Sequence, residues 1–373
     1  LAFELWKTQN QLSHGIFKTT SLPSSFYYRT IVIASKSKQK NLQTELYLDQ
    51  IKAHSTPRHI TAYAKEVNRY VVPVSSIIHF RRMGDYLLVS AVSGVYLLSQ
   101  DGVSQQIVSI GDGPRQIKEP SLIHVLSETS FQIYDNKLRR VKRYALSPDY
   151  SSADVTETYH LPDFMALQAL FPGPNQLIGL TGDKQKYGLT VGQFDQAGFT
   201  QLNHTALAEP SGMPERYWEC SRYLLSGRLT MSKDKIIQVL TFAGLVNVFD
   251  RAGNFLYQFP TREKAPLQKG KRIETNAVIY CTREPGFPVN FSITTHESSV
   301  AILSNIVLST DQHQRSLDFY AIETGAYEGS VHLPDLEQGE QPRSAFFIDD
   351  TSQLYVEYDE GIIIKYDLEK VAS

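Results

Sequence analysis

The segment Ser76-Ile-Ile-His79-Phe80 leads into short apolar runs and the turn Gly111-Asp-Gly113-Pro114, and the pattern then restarts as Ser121-Leu-Ile-His124-Val125. The two histidines stand 45 positions apart. A four-stranded unit repeated at that period is the signature of a β-propeller, in which small antiparallel sheets stack around an axis.

Reading the chain in steps of that length gives six units, each a set of apolar runs bounded by Gly, Asp, Asn or Pro. The first has strands over 76–80, 86–90, 94–99 and 105–110. The second covers 120–126, 131–135, 138–144 and 155–161. The third covers 165–171, 176–181, 189–195 and 199–203. The fourth covers 223–231, 235–240, 245–250 and 254–259, and the fifth 289–294, 300–306, 317–322 and 327–333. The sixth has only 343–348, 353–358 and 362–368 before the chain stops. Asp101-Gly102 and Gly253 supply the positive φ that tight hairpins need. An open ring would leave two bare sheet edges, which promote aggregation. A strand from 28–34, 45–50 or 68–74 is therefore expected to complete the last unit. Pro73 places the third of these at an edge or a strand end. The expected organisation is an N-terminal arm over 1–27 and a six-bladed β-propeller over 28–373, closed by strands from both ends. Composition agrees, because 11% aromatic residues, among them 21 Tyr and 18 Phe, favour strands over helices.

Charge and hydropathy narrow the partners. A net charge of −2 supplies no field to draw in nucleic acid or an anionic membrane. The apolar runs fall well short of the roughly 18 residues a membrane span needs. A chain that begins at Leu1 rather than Met is expected to have been trimmed, which leaves room for an export segment or a lipid anchor upstream. Cys220 and Cys281 are too far apart for a metal knuckle. They are either two buried thiols or one disulfide across a long loop.

Two stretches carry a family resemblance. One is Ile110-Gly-Asp-Gly-Pro114 with Pro120 and the hairpin Phe131-Gln-Ile-Tyr-Asp135…Arg140-Val-Lys-Arg-Tyr144. The other is Val246-Asn-Val-Phe-Asp250…Gly253-Asn-Phe-Leu-Tyr257. Together they resemble the TolB-like six-bladed propellers, exported proteins common in gut anaerobic bacteria. Arg115-Gln116 stand where that group more often has Gly-Glu. The resemblance implies a periplasmic or cell-surface location, frequent lipid anchoring and no settled activity.

The candidate chemistry is sparse. His79 and His124 hold equivalent places on inner strands, with Gln168 aligned in the third unit and Arg228 on the inner strand of the fourth. Such a ring could contact an anion or metal, or it could satisfy hydrogen bonds between blades. No carboxylate recurs there, so no metal and no cofactor are expected. The Gly111–Gly113 loop lacks the third Gly of a dinucleotide fingerprint and leads to a strand, so it reads as a turn, with Arg115 at its tip. His296-Glu297 lacks the second His of a zincin. Long insertions at 206–221, with Tyr217 and Trp218, and at 260–288, with Arg262, Lys264, Lys269, Lys271 and Arg272, are expected at one rim, where functional loops gather. Tyr and Trp are common anchors in binding surfaces. The expected function is a non-enzymatic binding propeller for a protein, carbohydrate or small molecule. The alternative is a metal-dependent hydrolase or lyase of the six-bladed lactonase type.

Overall fold

Leu87 and Leu88 are neighbours in sequence, point to opposite faces of one sheet, and are both buried. Leu88, Val95 and Leu97 pack against one adjoining sheet, and Leu87, Val89, Tyr96 and Leu98 against the other. This is period-2 alternation between two cores rather than between core and solvent, and it explains why runs such as Tyr86–Ala91 read as continuously apolar.

The structure is a computed structural model. It describes residues 47–370 apart from 52, 54–56, 75, 183–186, 208–224, 275–278, 285–286, 308–312, 337–338 and 348–352. These fall in the unit Val32–Ser373. The expected arm and the candidate strand 28–34 lie outside the described residues.

The architecture is all-β and propeller-like. After β1 (Ile60–Val71), four meanders each form a separate four-stranded sheet. The first is β2 (Ile77–Met83), β3 (Tyr86–Ala91), β4 (Gly94–Leu98) and β5 (Ser104–Ser109). The second is β6 (Pro120–Ser127), β7 (Ser130–Asp135), β8 (Arg140–Leu146) and β9 (Ala153–His160). The third is β10 (Ala166–Gly173), β11 (Gln176–Gly182), β12 (Tyr187–Asp195) and β13 (Gly198–Ala206). The fourth is β14 (Gly227–Ser232), β15 (Lys235–Leu240), β16 (Leu245–Asp250) and β17 (Phe255–Pro260). A two-stranded hairpin, β18 (Lys269–Glu274) and β19 (Ile279–Glu284), follows.

The other strands make one eight-stranded sheet rather than two separate ones. They are β20 (Asn290–His296), β21 (Ser299–Val307), β22 (His313–Ala321), β23 (Tyr327–His332), β24 (Ser344–Phe347), β25 (Gln353–Glu357) and β26 (Ile362–Lys370), together with β1. The cause is β1, which pairs on both edges. It runs antiparallel to β26 from Ala62↔Lys370 to Val71↔Ile362, and parallel to β23 from Ile60↔Ser330 to Tyr63↔His332. Four four-stranded sheets therefore stand apart where six were expected, and the last two meanders are fused through β1.

The inner strands follow one another around an axis. β2 lies beside β6, β6 beside β10, β10 beside β14, β14 beside β20, and β20 beside β24. Phe346 of β24 returns to β2, with its ring 5.5 Å from His79 and 4.9 Å from Phe80. Each apolar core lies between consecutive meanders. The joint between β1, β25 and β26 and the first sheet is filled by Tyr70, Ile77, Phe80, Leu87, Leu98, Tyr355 and Ile363.

Three local expectations change. The closing strand begins at Ile60, well before the expected 68, and ends at Val71 ahead of Pro73. Residues 47–51 are helical rather than extended. Tyr47, Leu48 and Ile51 recur at i, i+1 and i+4 and are all buried, with Tyr47 and Ile51 packed on Ala265 and Val289. That helical face outweighs the alternation of Glu-Leu-Tyr-Leu. The insertion over 260–288 carries the β18–β19 hairpin rather than only a loop. Cys220 lies outside the described residues, and Cys281 sits on β19 opposite Arg272. The hairpin glycines behave as expected, with Gly102 at φ 84° and Gly253 at φ 88°. Among the described residues no helix is long and apolar enough to cross a membrane.

Candidate functional site

His79 is the third residue of β2 and sits half-buried on the axis side. Its Nδ1 accepts a hydrogen bond from the Ile123 N–H on β6 at 3.4 Å, and its ring meets Phe346 edge-on at 81°. The imidazole thus bridges three inner strands. Burial, then the charges of Arg81 and Arg228, hold its pKa well below the usual histidine range. A neutral ring is what an accepting Nδ1 requires.

Period-2 geometry puts Arg81 two residues on, along the same face of β2. Its Nη1 donates to the Phe80 carbonyl at 2.9 Å, and its guanidinium lies 4.6 Å above the Phe346 ring. Among the described residues no carboxylate pairs with it. Burial pulls its pKa down to about 10. His124, on β6, packs against Phe171 with ring centres 5.6 Å apart. Burial, then Arg81 and Arg143, lower its pKa to about 4. Arg143 itself is engaged with Glu157 at 2.5 Å, with Gln132, and with the Pro174 carbonyl.

A second cationic group, Arg228 of the inner strand β14 and Arg315 of β22, gathers around Phe291 at the start of β20. Arg228 Nε donates to the Phe291 carbonyl at 3.1 Å, and the Arg315 guanidinium lies 3.6 Å above its ring. Burial pulls Arg315 down to about 10. Glu357 is buried nearby and accepts a hydrogen bond from Ser344 Oγ at 2.6 Å. Burial pushes its carboxyl up to about 7, against the pull of Ser344, Arg343 and Arg228. Burial thus favours the neutral form of this carboxyl, while the guanidiniums keep their charge.

The sequence candidates divide accordingly. His79, His124 and Arg228 come together along the axis. Gln168 is half-buried on the inner strand β10, opposite Leu180. Arg115 instead makes an exposed ion pair with Asp154 at 2.9 Å. Tyr217 and Trp218 lie outside the described residues. Arg81, Arg315, Glu357 and Phe346 were missed. Arg81 was reachable, because it shares a strand face with His79.

The Gly111–Gly113 loop is filled by the protein's own groups. Lys142, 1% exposed, donates from Nζ to the carbonyls of Gly113, Pro114 and Gln116 at 3.4, 2.6 and 2.7 Å. Asp135 accepts from the N–H groups of Lys118 and Glu119 at 2.9 and 3.2 Å. Gln116 Oε1 accepts from the Gly113 N–H at 2.9 Å and lies where a Cβ on Gly111 would go. Gln116 therefore closes the turn.

Among the described residues no three His, Cys, Asp or Glu side chains are placed to share a metal ion. No protein-family model matches the chain, and none of the curated proteins matches it. Among solved structures it is similar to a member of the DUF4221 family from Bacteroides vulgatus, with a TM-score of 0.50 and 7% identity over 85% of this chain and all of that one. It is also similar to the N-terminal domain of Nup159, with a TM-score of 0.38 and 12% identity over 79% of this chain and 76% of that one. The first of these likenesses supports a β-propeller-like all-β fold.

Proposed function

We propose that the chain is a TolB-like six-bladed binding propeller, non-enzymatic and exported, that takes a small anionic ligand such as a carboxylate or phosphate into its axis. The count of six rests on treating the eight-stranded sheet as two blades joined at their outer edges. β24, β25, β26 and β1 repeat the inner-to-outer order of β2–β5. The family assignment and the export rest on the loop and hairpin motifs of the sequence.

One observation carries the ligand class. Arg81 is a guanidinium set against the axis, beside two histidines held neutral, with no carboxylate partner among the described residues. A charge in a partly desolvated site is costly unless something opposite meets it. An anion would bond the free guanidinium edge, and Arg228 would add charge from across His79. Calorimetric titration with inorganic phosphate and citrate tests this. Saturable binding lost in Arg81→Gln is expected, and no saturable binding of either anion would refute it.

The lactonase-type alternative draws on Glu357, a carboxyl held up to about 7 and therefore suited to giving a proton near neutrality. It predicts lactone or ester hydrolysis that rises with added divalent cation and falls in Glu357→Gln.

A further inference from the structure

A cleft of about 240 Å³ opens at the joint where β1, β25 and β26 meet the first sheet. It is separate from the axis. Its floor is Tyr70 and Tyr355, whose rings lie 6.4 Å apart and nearly parallel, 25° from coplanar. Its walls carry Asn68, Arg82, Asp85, Gln100 and Lys365. Asn68 Nδ2 reaches across the joint to the Gln100 carbonyl at 2.8 Å, so the two walls are already pinned at one point.

The charges around the cleft fall into two groups. Away from it, the cations of β1 are paired, Lys65 with Glu369 at 2.8 Å and Arg69 with Glu66 at 2.9 Å. The two cations that line the cleft are not. Lys365, half-buried, has no carboxylate partner among the described residues. Among the described residues Arg82 bonds the Gly84 carbonyl alone, through Nε at 2.9 Å, which leaves its terminal nitrogens to the cleft. Asp85 accepts from Gln100 Nε2 at 3.4 Å and keeps acceptor capacity for a hydroxyl. Burial pushes the Tyr355 hydroxyl up to about 12, so it stays a neutral hydrogen-bonding group.

We propose that this cleft is a second binding site, for a small hydroxylated anion: a sugar bearing one phosphate or carboxylate. The anionic group sits between Arg82 and Lys365, and the hydroxyls donate to Asp85 and accept from Gln100. The volume is below the 300–1,000 Å³ common for drug-sized ligands and fits a single sugar unit. The ligand would touch both the first sheet and the strands from the two chain ends. Binding would therefore hold the closing joint and raise the unfolding temperature.

The test uses the whole protein with glucose 6-phosphate, glucuronate, inorganic phosphate and glucose, read by calorimetric titration and thermal unfolding. Glucose 6-phosphate or glucuronate should bind saturably and raise the melting temperature. Lys365→Gln and Arg82→Gln should each weaken binding tenfold or more. Asp85→Asn should reduce glucose 6-phosphate affinity to that of inorganic phosphate. Arg81→Gln, which removes the axial guanidinium, should leave this binding in place, so failure of the axial reading and failure of this one are distinguishable. Equal affinity in the wild type and in both cleft variants, or no binding at millimolar ligand, would overturn the proposal. Circular dichroism of each variant shows whether a loss reflects the site or the fold.

Discussion

Arg58 and Asp318 form a two-pronged ion pair, with Nε 2.8 Å from Oδ1 and Nη2 2.9 Å from Oδ2. Both side chains are buried, and the same guanidinium also contacts Glu263. Arg58 stands just before β1, Asp318 is on β22, and Glu263 belongs to the segment after β17. Ser316 and Ser330 donate to Asp318 Oδ1 at 3.0 and 2.6 Å. Burial works against the charge on Arg58, but Asp318 and Glu263 outweigh it and raise its pKa. The strand that fuses the two last meanders is thus locked at its start by one buried cation.

Replacing Arg58 by Met should therefore destabilise the protein by about 3–5 kcal/mol, the usual cost of leaving buried carboxylates without their cation. Chemical denaturation measures the loss. Hydrogen exchange should locate it at the β1–β23 pairing, with the β6–β9 meander unaffected at low denaturant. A change below about 1 kcal/mol would show that the apolar joint, not the ion pair, holds the closing strand.

Lys142 tests the reading of the Gly111–Gly113 loop. Its ammonium serves three carbonyls, and burial lowers its pKa to about 8. Lys142→Met keeps most of the stem packing and removes the donors. A loss of about 3 kcal/mol is expected, since each buried polar group left unsatisfied costs on the order of 1–3 kcal/mol and water will reach some of them. Limited proteolysis should then cut within 111–118 faster in the variant than in the wild-type protein.

The axis predicts a stability maximum in mildly acid solution. Glu357 has its folded pKa raised to about 7, so the folded state holds a proton that the unfolded chain gives up near 4.5. Its contribution is complete below that lower value and is lost as pH rises through about 7. It amounts to roughly 3 kcal/mol at most, because each tenfold difference in proton affinity between the folded and unfolded chain is worth about 1.4 kcal/mol. His124 works in the opposite sense. Its folded pKa is lowered to about 4, so the unfolded chain takes up a proton first and stability falls as pH drops from 6.5 toward 4. His79 moves in the same direction. Urea midpoints should peak near pH 6. Glu357→Gln should flatten the alkaline limb and His124→Gln the acid limb.

Much of the fold was legible because its strands are buried on both sides and so read as apolar runs cut by turn residues. The runs around Leu87–Leu88 and Ile236–Ile237 are of this kind. β1 was harder to see. ITAYAKEVNRYV has mainly Ala62 and Tyr70 buried and exposes Tyr63, Val67 and Val71, since an outer strand packs on little. Its pairing partners lie near the far end of the chain, where no local pattern points to them. At the site, the repeat drew attention to His79 and His124, whereas Arg81 has Leu126 at the equivalent place in the next unit. A residue that occurs in one unit leaves no periodic signal, although its strand face can still be read from its neighbour. Glu357 is on the second strand of its meander, and only the pairing of β24 with β25 sets it opposite Ser344.

The last prediction concerns Arg81 without ligand. Fully converted, the fall in its pKa from 12.5 to about 10 would correspond to roughly 3 kcal/mol of unfavourable desolvation. The side chain is only half-buried, so water screens about half of that. The contact with Phe346 returns about 0.5–1 kcal/mol. The balance leaves the guanidinium destabilising by about 1 kcal/mol in the empty protein. Arg81→Met should accordingly raise the melting temperature in anion-free buffer. In the wild type, citrate should raise the midpoint, and in the variant it should leave it unchanged. A variant less stable than the wild type without anion would mean that Arg81 is a packing element of β2, and that the axis has no need of a counter-ion.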